Sequence, residues 1–200
     1  GISPNDIPQT EEELWITLEK IEKMAKENKK VVAIGEIGLD YYWEKEEKMR
    51  KLQKRAFIEQ IKIANKLELP IVIHTRDAVM DTIQILKENH VENYGIFHCC
   101  PLNRELVKEA LKLGFYISFA GPITFKNSKN ASEIIEMVPN DKMLIETDSP
   151  YLAPEPVRGT RNNPINVKYI AQKIADVKKI SLEEVAELTY ENAERIFNLK

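Results

Sequence analysis

Pro70-Ile71-Val72-Ile73-His74 is a short apolar run that ends in a histidine, and its position in the chain decides the fold. Its length and β-branched residues are those of a strand. Similar runs lie on either side: Val31-Val32-Ala33-Ile34, Tyr94-Gly95-Ile96-Phe97, Phe115-Tyr116-Ile117-Ser118-Phe119 and Lys142-Met143-Leu144-Ile145. Between and around them lie amphipathic, charged stretches with helical spacing: 11–28, 45–67, 77–89, 103–113, 131–137, 166–177 and 181–197. Ser181 followed by Glu184 has the spacing of a capping box. Strand followed by helix, five times over, implies parallel strands joined by crossover helices. Runs that are apolar throughout suit a sheet covered on both faces.

An open doubly wound sheet and a closed barrel both meet that description. The residues just beyond the strands separate them. Glu36, His74, His98 and Asp148 each stand at or near a strand end. In a barrel all strand ends converge on one rim, whereas in an open sheet only those flanking the switch point would do so. The expected fold is therefore α/β, a TIM-like (β/α)8 barrel, here incomplete with about five parallel strands and flanking helices. On this reading residues 1–200 are a single hydrolase barrel domain lacking its N-terminal strands, with about three strands before Gly1, from the eight such a barrel needs.

Composition is compatible. Of 200 residues, 43% are hydrophobic and 30% charged, and the net charge is −3. This is a globular composition, and its near-neutral balance argues against simple electrostatic coating of nucleic acid while allowing a local cationic site. No membrane-length apolar run and no signal peptide are visible. The two cysteines, Cys99 and Cys100, are adjacent, which is no disulfide framework, and the expected location is the cytoplasm.

Carboxylate, imidazole, imidazole, carboxylate is a donor set for divalent ions such as Mg, Mn, Zn or Co, one or two of them. Two such ions can stabilise both the attacking and the leaving oxygen of a displacement at phosphorus. Each residue also has a plainer reading. A histidine after a strand can be structural, but His74 and His98 hold the same place in the strand–helix repeat. Glu36, between Gly35 and Gly38, needs a strong partner if buried. Asp148, before Ser149-Pro150, could serve a turn. Asp40 is read as a cap of the following helix, and His90 as a surface residue. Arg158 and Arg161 lie in the loop after the last strand, where barrels often hold phosphate; Arg76 and Lys126 are loop cations near the same rim. Tyr41, Tyr42 and Trp43 could stack a base or form a hydrophobic lid. Cys99 and Cys100 read as small buried hydrophobes.

Together, Gly35-Glu36-Ile37-Gly38-Leu39-Asp40-Tyr41, Pro70-Ile71-Val72-Ile73-His74, His98-Cys99, Gly121-Pro122-Ile123-Thr124-Phe125-Lys126, Glu146-Thr147-Asp148-Ser149-Pro150-Tyr151-Leu152 and Arg158-Gly159-Thr160-Arg161-Asn162 resemble the TatD family of metal-dependent deoxyribonucleases. The resemblance runs the length of the chain. It implies a barrel of the amidohydrolase type with Glu36 as the carboxylate shared by two metals and His74 and His98 as ligands of the second. Asp148 would bind the first metal and orient or deprotonate the attacking water. The implied substrate is DNA, cut 3′-to-5′ from single strands, with RNA taken by some relatives. Arg76, Lys126, Arg158 and Arg161 would hold phosphates. The chain departs from the family pattern in three places: there is no His-x-His strand, Ser3 stands where a histidine is usual, and Cys100-Pro101-Leu102 replaces the common residues after the cysteine. Two alternatives stand beside the nuclease: a metal-dependent hydrolase of a carbonyl substrate, and a non-catalytic remnant that associates with copies of itself.

Overall fold

The structure is a computed structural model that describes residues 1–199. The chain forms two compact units, Gly1–Phe97 and His98–Lys200. The N-terminal unit runs α1 (Glu11–Glu27), β1 (Ile34–Asp40), α2 (Glu47–Lys66), β2 (Ile71–Arg76), α3 (Val79–Glu88) and β3 (Gly95–Phe97). Its strands are parallel, β1 beside β2 and β2 beside β3, with Gly38 opposite His74, Asp40 opposite Arg76 and Ile73 opposite Phe97. Ile34, Ile37, Leu39, Ile71, Ile73 and Phe97 are buried to within a few per cent, and α2 contributes Ala56, Phe57 and Ile61 to the core.

The C-terminal unit runs α4 (Arg104–Lys112), β4 (Tyr116–Phe119), α5 (Ala131–Met137), β5 (Met143–Ile145), α6 (Val167–Lys178) and α7 (Leu182–Phe197). β4 and β5 pair in parallel, with Ile117 opposite Met143 and Phe119 opposite Ile145. All four residues of β4 are buried, as expected of a strand covered on both faces. The buried Asn192 of α7 donates to the carbonyls of Asn140 and Met143, both at 2.8 Å, and so closes the entry to β5.

Local chemistry explains the helix starts. Thr10 accepts from the Glu13 N–H, Asn103 accepts from the Leu106 N–H, and three glutamates fill the first turn of α1 where the helix dipole favours them. Ser181 and Glu184 form the expected capping box on α7.

Two expectations are corrected in β1. The apolar run suggested a strand at 31–34 with Glu36 beyond its end. The strand instead starts at Ile34 and continues to Asp40, through a register irregularity between Ile34 and Ile37. Pairing with β2 sustains it across Gly35, Glu36 and Gly38, residues with poor strand propensity. Gly38 makes this possible: its φ is +137°, and a Cβ there would lie 2.0 Å from the His74 carbonyl oxygen. Secondly, Asp40 does not cap α2. Glu46 holds that position, without a side-chain bond, and Asp40 is engaged elsewhere.

The first residues of the chain form no strand, yet they are held firmly. Gln60 of α2 accepts from the Ile2 N–H at 2.6 Å and donates to the Ile2 carbonyl at 3.2 Å. Gln53, one helical face-repeat earlier, donates to the Pro4 carbonyl at 3.0 Å and accepts from the Asp40 N–H at 3.1 Å. Both glutamines are buried.

Candidate functional site

In the N-terminal unit, β1 and β2 bring three titratable side chains into one line. Glu36 Oε1 lies 2.8 Å from His74 Nδ1, and Asp40 Oδ2 lies 3.0 Å from His74 Nε2. The imidazole is thus flanked by a carboxylate on each nitrogen. Asp40 is 1% exposed, while the Glu36 side chain is 35% exposed, so one carboxylate is structural in setting and the other reaches solvent. Asp40 also accepts from Asn5 at 3.3 Å and from the backbone N–H groups of Tyr42 and Trp43 at 2.9 and 3.1 Å. Burial alone would raise the Asp40 carboxyl. The hydrogen bonds from Trp43, Asn5 and His74 outweigh that and hold it below its ordinary value.

The C-terminal unit has a parallel arrangement. His98 directly follows the last residue of β3, and its Nδ1 lies 2.9 Å from Glu146 Oε2. The other oxygen of Glu146 accepts from the Cys99 N–H. Burial pushes the Glu146 carboxyl up, but His98, the Cys99 N–H and Ser118 together bring it below the usual glutamate value. Cys99 is half-buried and Cys100 is buried, and burial raises the Cys100 thiol, which leaves it a poor nucleophile.

Asp148 follows β5 by three residues and has a positive φ of 57°, a backbone conformation uncommon for any residue with a side chain. Such positions persist where surrounding bonds over-determine them. Here the Tyr151 N–H donates to the Asp148 carbonyl, and the buried Asn162 donates to the carbonyls of Thr147 and Tyr151, each at 2.7 Å. Asn162 thereby ties the arginine loop to the turn that carries Asp148. Arg161 is its exposed neighbour. The Arg158 guanidinium lies 4.0 Å from the centre of the Phe125 ring and 3.9 Å from Glu155. Lys126 is exposed beside Phe125. Gly121 permits this packing, because a Cβ there would meet the Leu152 carbonyl oxygen at 1.8 Å.

Sequence reasoning missed Asp40, Glu146 and Asn162 as supporting groups. The Glu-Thr-Asp and Arg-x-x-Arg-Asn motifs contained two of the three, but their partners are distant in sequence. A histidine that holds a metal through one nitrogen commonly gives the other to a carboxylate, which fixes tautomer and ring orientation. His74 and His98 both have such a carboxylate. With Asp40 at Nε2 of His74 and Glu146 at Nδ1 of His98, this donor chemistry fits a divalent ion at the opposite nitrogens.

Residues 1–198 match the family of TatD-related DNases. The chain belongs to that family. Among its relatives is YabD of Bacillus subtilis, a metal-dependent hydrolase, 48% identical over 202 residues that cover all of this chain and 76% of YabD. YcfH of Escherichia coli K12, also a metal-dependent hydrolase, is 45% identical over 170 residues, covering 84% of this chain and 63% of YcfH. The crystal structure of YjjV, a TatD homologue from Escherichia coli K12, superposes with a TM-score of 0.89 at 24% identity, covering 98% of this chain and 74% of YjjV. The α/β architecture with five parallel strands is thus that of the TatD TIM-barrel structures. Among the described residues, no helix is long and apolar enough to cross a membrane.

Proposed function

We propose that this TatD-family chain is a divalent-metal-dependent hydrolase that cuts phosphodiester bonds in single-stranded DNA, working 3′-to-5′. The observation that carries the reading is the pair of histidines each oriented by its own carboxylate, His74 by Asp40 and His98 by Glu146, with Glu36 directly against His74. The relatives named as metal-dependent hydrolases support it.

In this reading Glu36, His74, His98 and Asp148 would hold one or two divalent metal ions. Bound divalent ions supply charge stabilisation at phosphorus and a lowered pKa for water. Glu36 is the solvent-reaching carboxylate of its pair and is suited to bridging. Asp148, on its constrained turn, would orient or deprotonate the attacking water. Arg161, held next to the Asp148 turn by Asn162, Arg158, Lys126 and, at the end of β2, Arg76 would receive phosphate oxygens. Arginine matches phosphate in fork geometry.

The test is hydrolysis of end-labelled single-stranded DNA with Mg, Mn, Zn or Co supplied, comparing the parent chain with Glu36→Ala and Asp148→Ala. The expected result is a loss of at least about 100-fold in each variant, the scale seen when a transition-state electrostatic partner is removed. Equal rates in parent and variants would refute the site. Hydrolysis of lactone or ester substrates without DNA cleavage, insensitive to Arg158→Gln and Arg161→Gln, would move the substrate to the carbonyl class.

A further inference from the structure

Immediately beyond β1 the chain turns through Tyr41, Tyr42 and Trp43, and the three rings have different surroundings. Tyr41 is tied down: its hydroxyl donates to Asp81 at 2.6 Å, and the Arg50 guanidinium lies 4.4 Å from its ring centre. Tyr42 and Trp43 are 44% and 67% exposed. They meet edge to face with centroids 4.8 Å apart. Arg76, at the end of β2, lies 3.8 Å from the Tyr42 ring centre and 5.8 Å from that of Trp43, and Lys45 Nζ is 5.7 Å from Tyr42. Beside Trp43 a cleft of about 380 Å³ is lined by Pro4, Asn5, Ile7, Met49 and Gln53, within the range of small-molecule sites.

This turn has a fixed place. Asp40 Oδ1 accepts the Tyr42 and Trp43 N–H groups while Oδ2 binds His74. One buried carboxylate therefore holds both the exposed rings and the candidate metal ligand. We propose that Trp43 and Tyr42 form a stacking subsite for a nucleobase of a single-stranded nucleic acid, with Arg76 on an adjoining phosphate. The proposal rests on the nucleic-acid reading above and adds where a base is gripped. Rings interleaved with cations match a strand that alternates π faces and negative charge. Lys45 Nζ also donates to the Tyr41 carbonyl at 2.7 Å, so Arg76, over the Tyr42 ring, is the cation placed for a phosphate. A buried lid would not leave Trp43 two-thirds exposed.

The experiment is fluorescence anisotropy with a dye-labelled oligothymidylate and with the same strand carrying abasic sites, using the parent chain, Trp43→Ala, Trp43→Phe and Arg76→Gln. Trp43→Ala is expected to weaken binding of the base-bearing strand by about 5- to 150-fold, the size of one base–aromatic stack, and to leave the abasic strand unaffected. Trp43→Phe is expected to restore most of that loss. Arg76→Gln is expected to weaken both strands and to reduce the slope of log affinity against log salt by about 0.7. Because Trp43 is exposed, unchanged melting of Trp43→Ala is the check that the fold survives. Parent-like binding by Trp43→Ala, or equal loss on both strands, overturns the stacking subsite while leaving the nucleic-acid reading standing. A parent chain that binds neither strand overturns that reading, and the subsite with it.

Discussion

His74 and His98 are held by carboxylates in opposite ways. Asp40 meets His74 at Nε2, on the far side of the ring from Glu36 at Nδ1, whereas Glu146 meets His98 at Nδ1. The two clamps also differ in depth. Asp40 is buried and has three further partners, Asn5 and the backbone N–H groups of Tyr42 and Trp43, whereas the Glu146 side chain is 25% exposed and has two, the Cys99 N–H and Ser118. The same chemical device is integral to the fold in the N-terminal unit and a local fixture in the C-terminal one. Removing it should therefore cost stability in one place and mainly ligand geometry in the other.

The largest contrast should come from truncation. Asp40→Ala leaves several buried donors without an acceptor, and we expect a loss of about 2–4 kcal/mol in urea unfolding, against roughly half that for Glu146→Ala. Equal losses would break the comparison. The isosteric pair sharpens it: Asp40→Asn and Glu146→Gln keep the shape but weaken the hold on each imidazole. Each should reduce metal affinity, read by isothermal titration with Mn or Zn, by about 10- to 100-fold with a smaller change in stability. A substitution remote from both clamps calibrates the scale. Ser181→Ala removes the capping box of α7 and should cost about 1 kcal/mol while leaving metal titration unchanged.

The smallest effect concerns acid. Asp81 accepts from Tyr41 and lies 2.7 Å from Lys54; burial would raise its carboxyl, but these two partners hold it below the ordinary value. A carboxyl depressed in the folded state contributes stability that is fully present above its unfolded value, about 3.9 for aspartate, and is lost as pH falls through the folded value. The parent chain should therefore lose stability more steeply than Asp81→Asn below about pH 4, by no more than about 1 kcal/mol for so exposed a pair. Parallel acid limbs in the two proteins would show that the pair contributes nothing.

Much of this was legible in the sequence. Helix extents from α1 to α7 follow the amphipathic spacing to within two residues, and the capping box at Ser181 was written in two letters. Five strands and their order after each helix could be read from apolar runs. What was hidden shares one cause: a partner far along the chain. The true end of β1 depends on pairing with β2, so Glu36 read as the strand's end although the strand runs on to Asp40. Asp40 looked like a helix cap because its histidine lies 34 residues on, and Glu146 went unnoticed because its own lies 48 residues back. Gln53 and Gln60 sit in a charged helical pattern that gives no sign of their burial.

Gln53 has one further consequence. Its carboxamide binds the Pro4 carbonyl and both the N–H and the carbonyl of Asp40, so one side chain of α2 spans the opening segment and the end of β1. A single rotamer change there releases three backbone groups at once. In hydrogen–deuterium exchange the Asp40 amide should thus keep time with the second turn of α2, and with Ile2 through Gln60, as one cooperative unit stitched by amide side chains where a strand ladder would ordinarily do the joining.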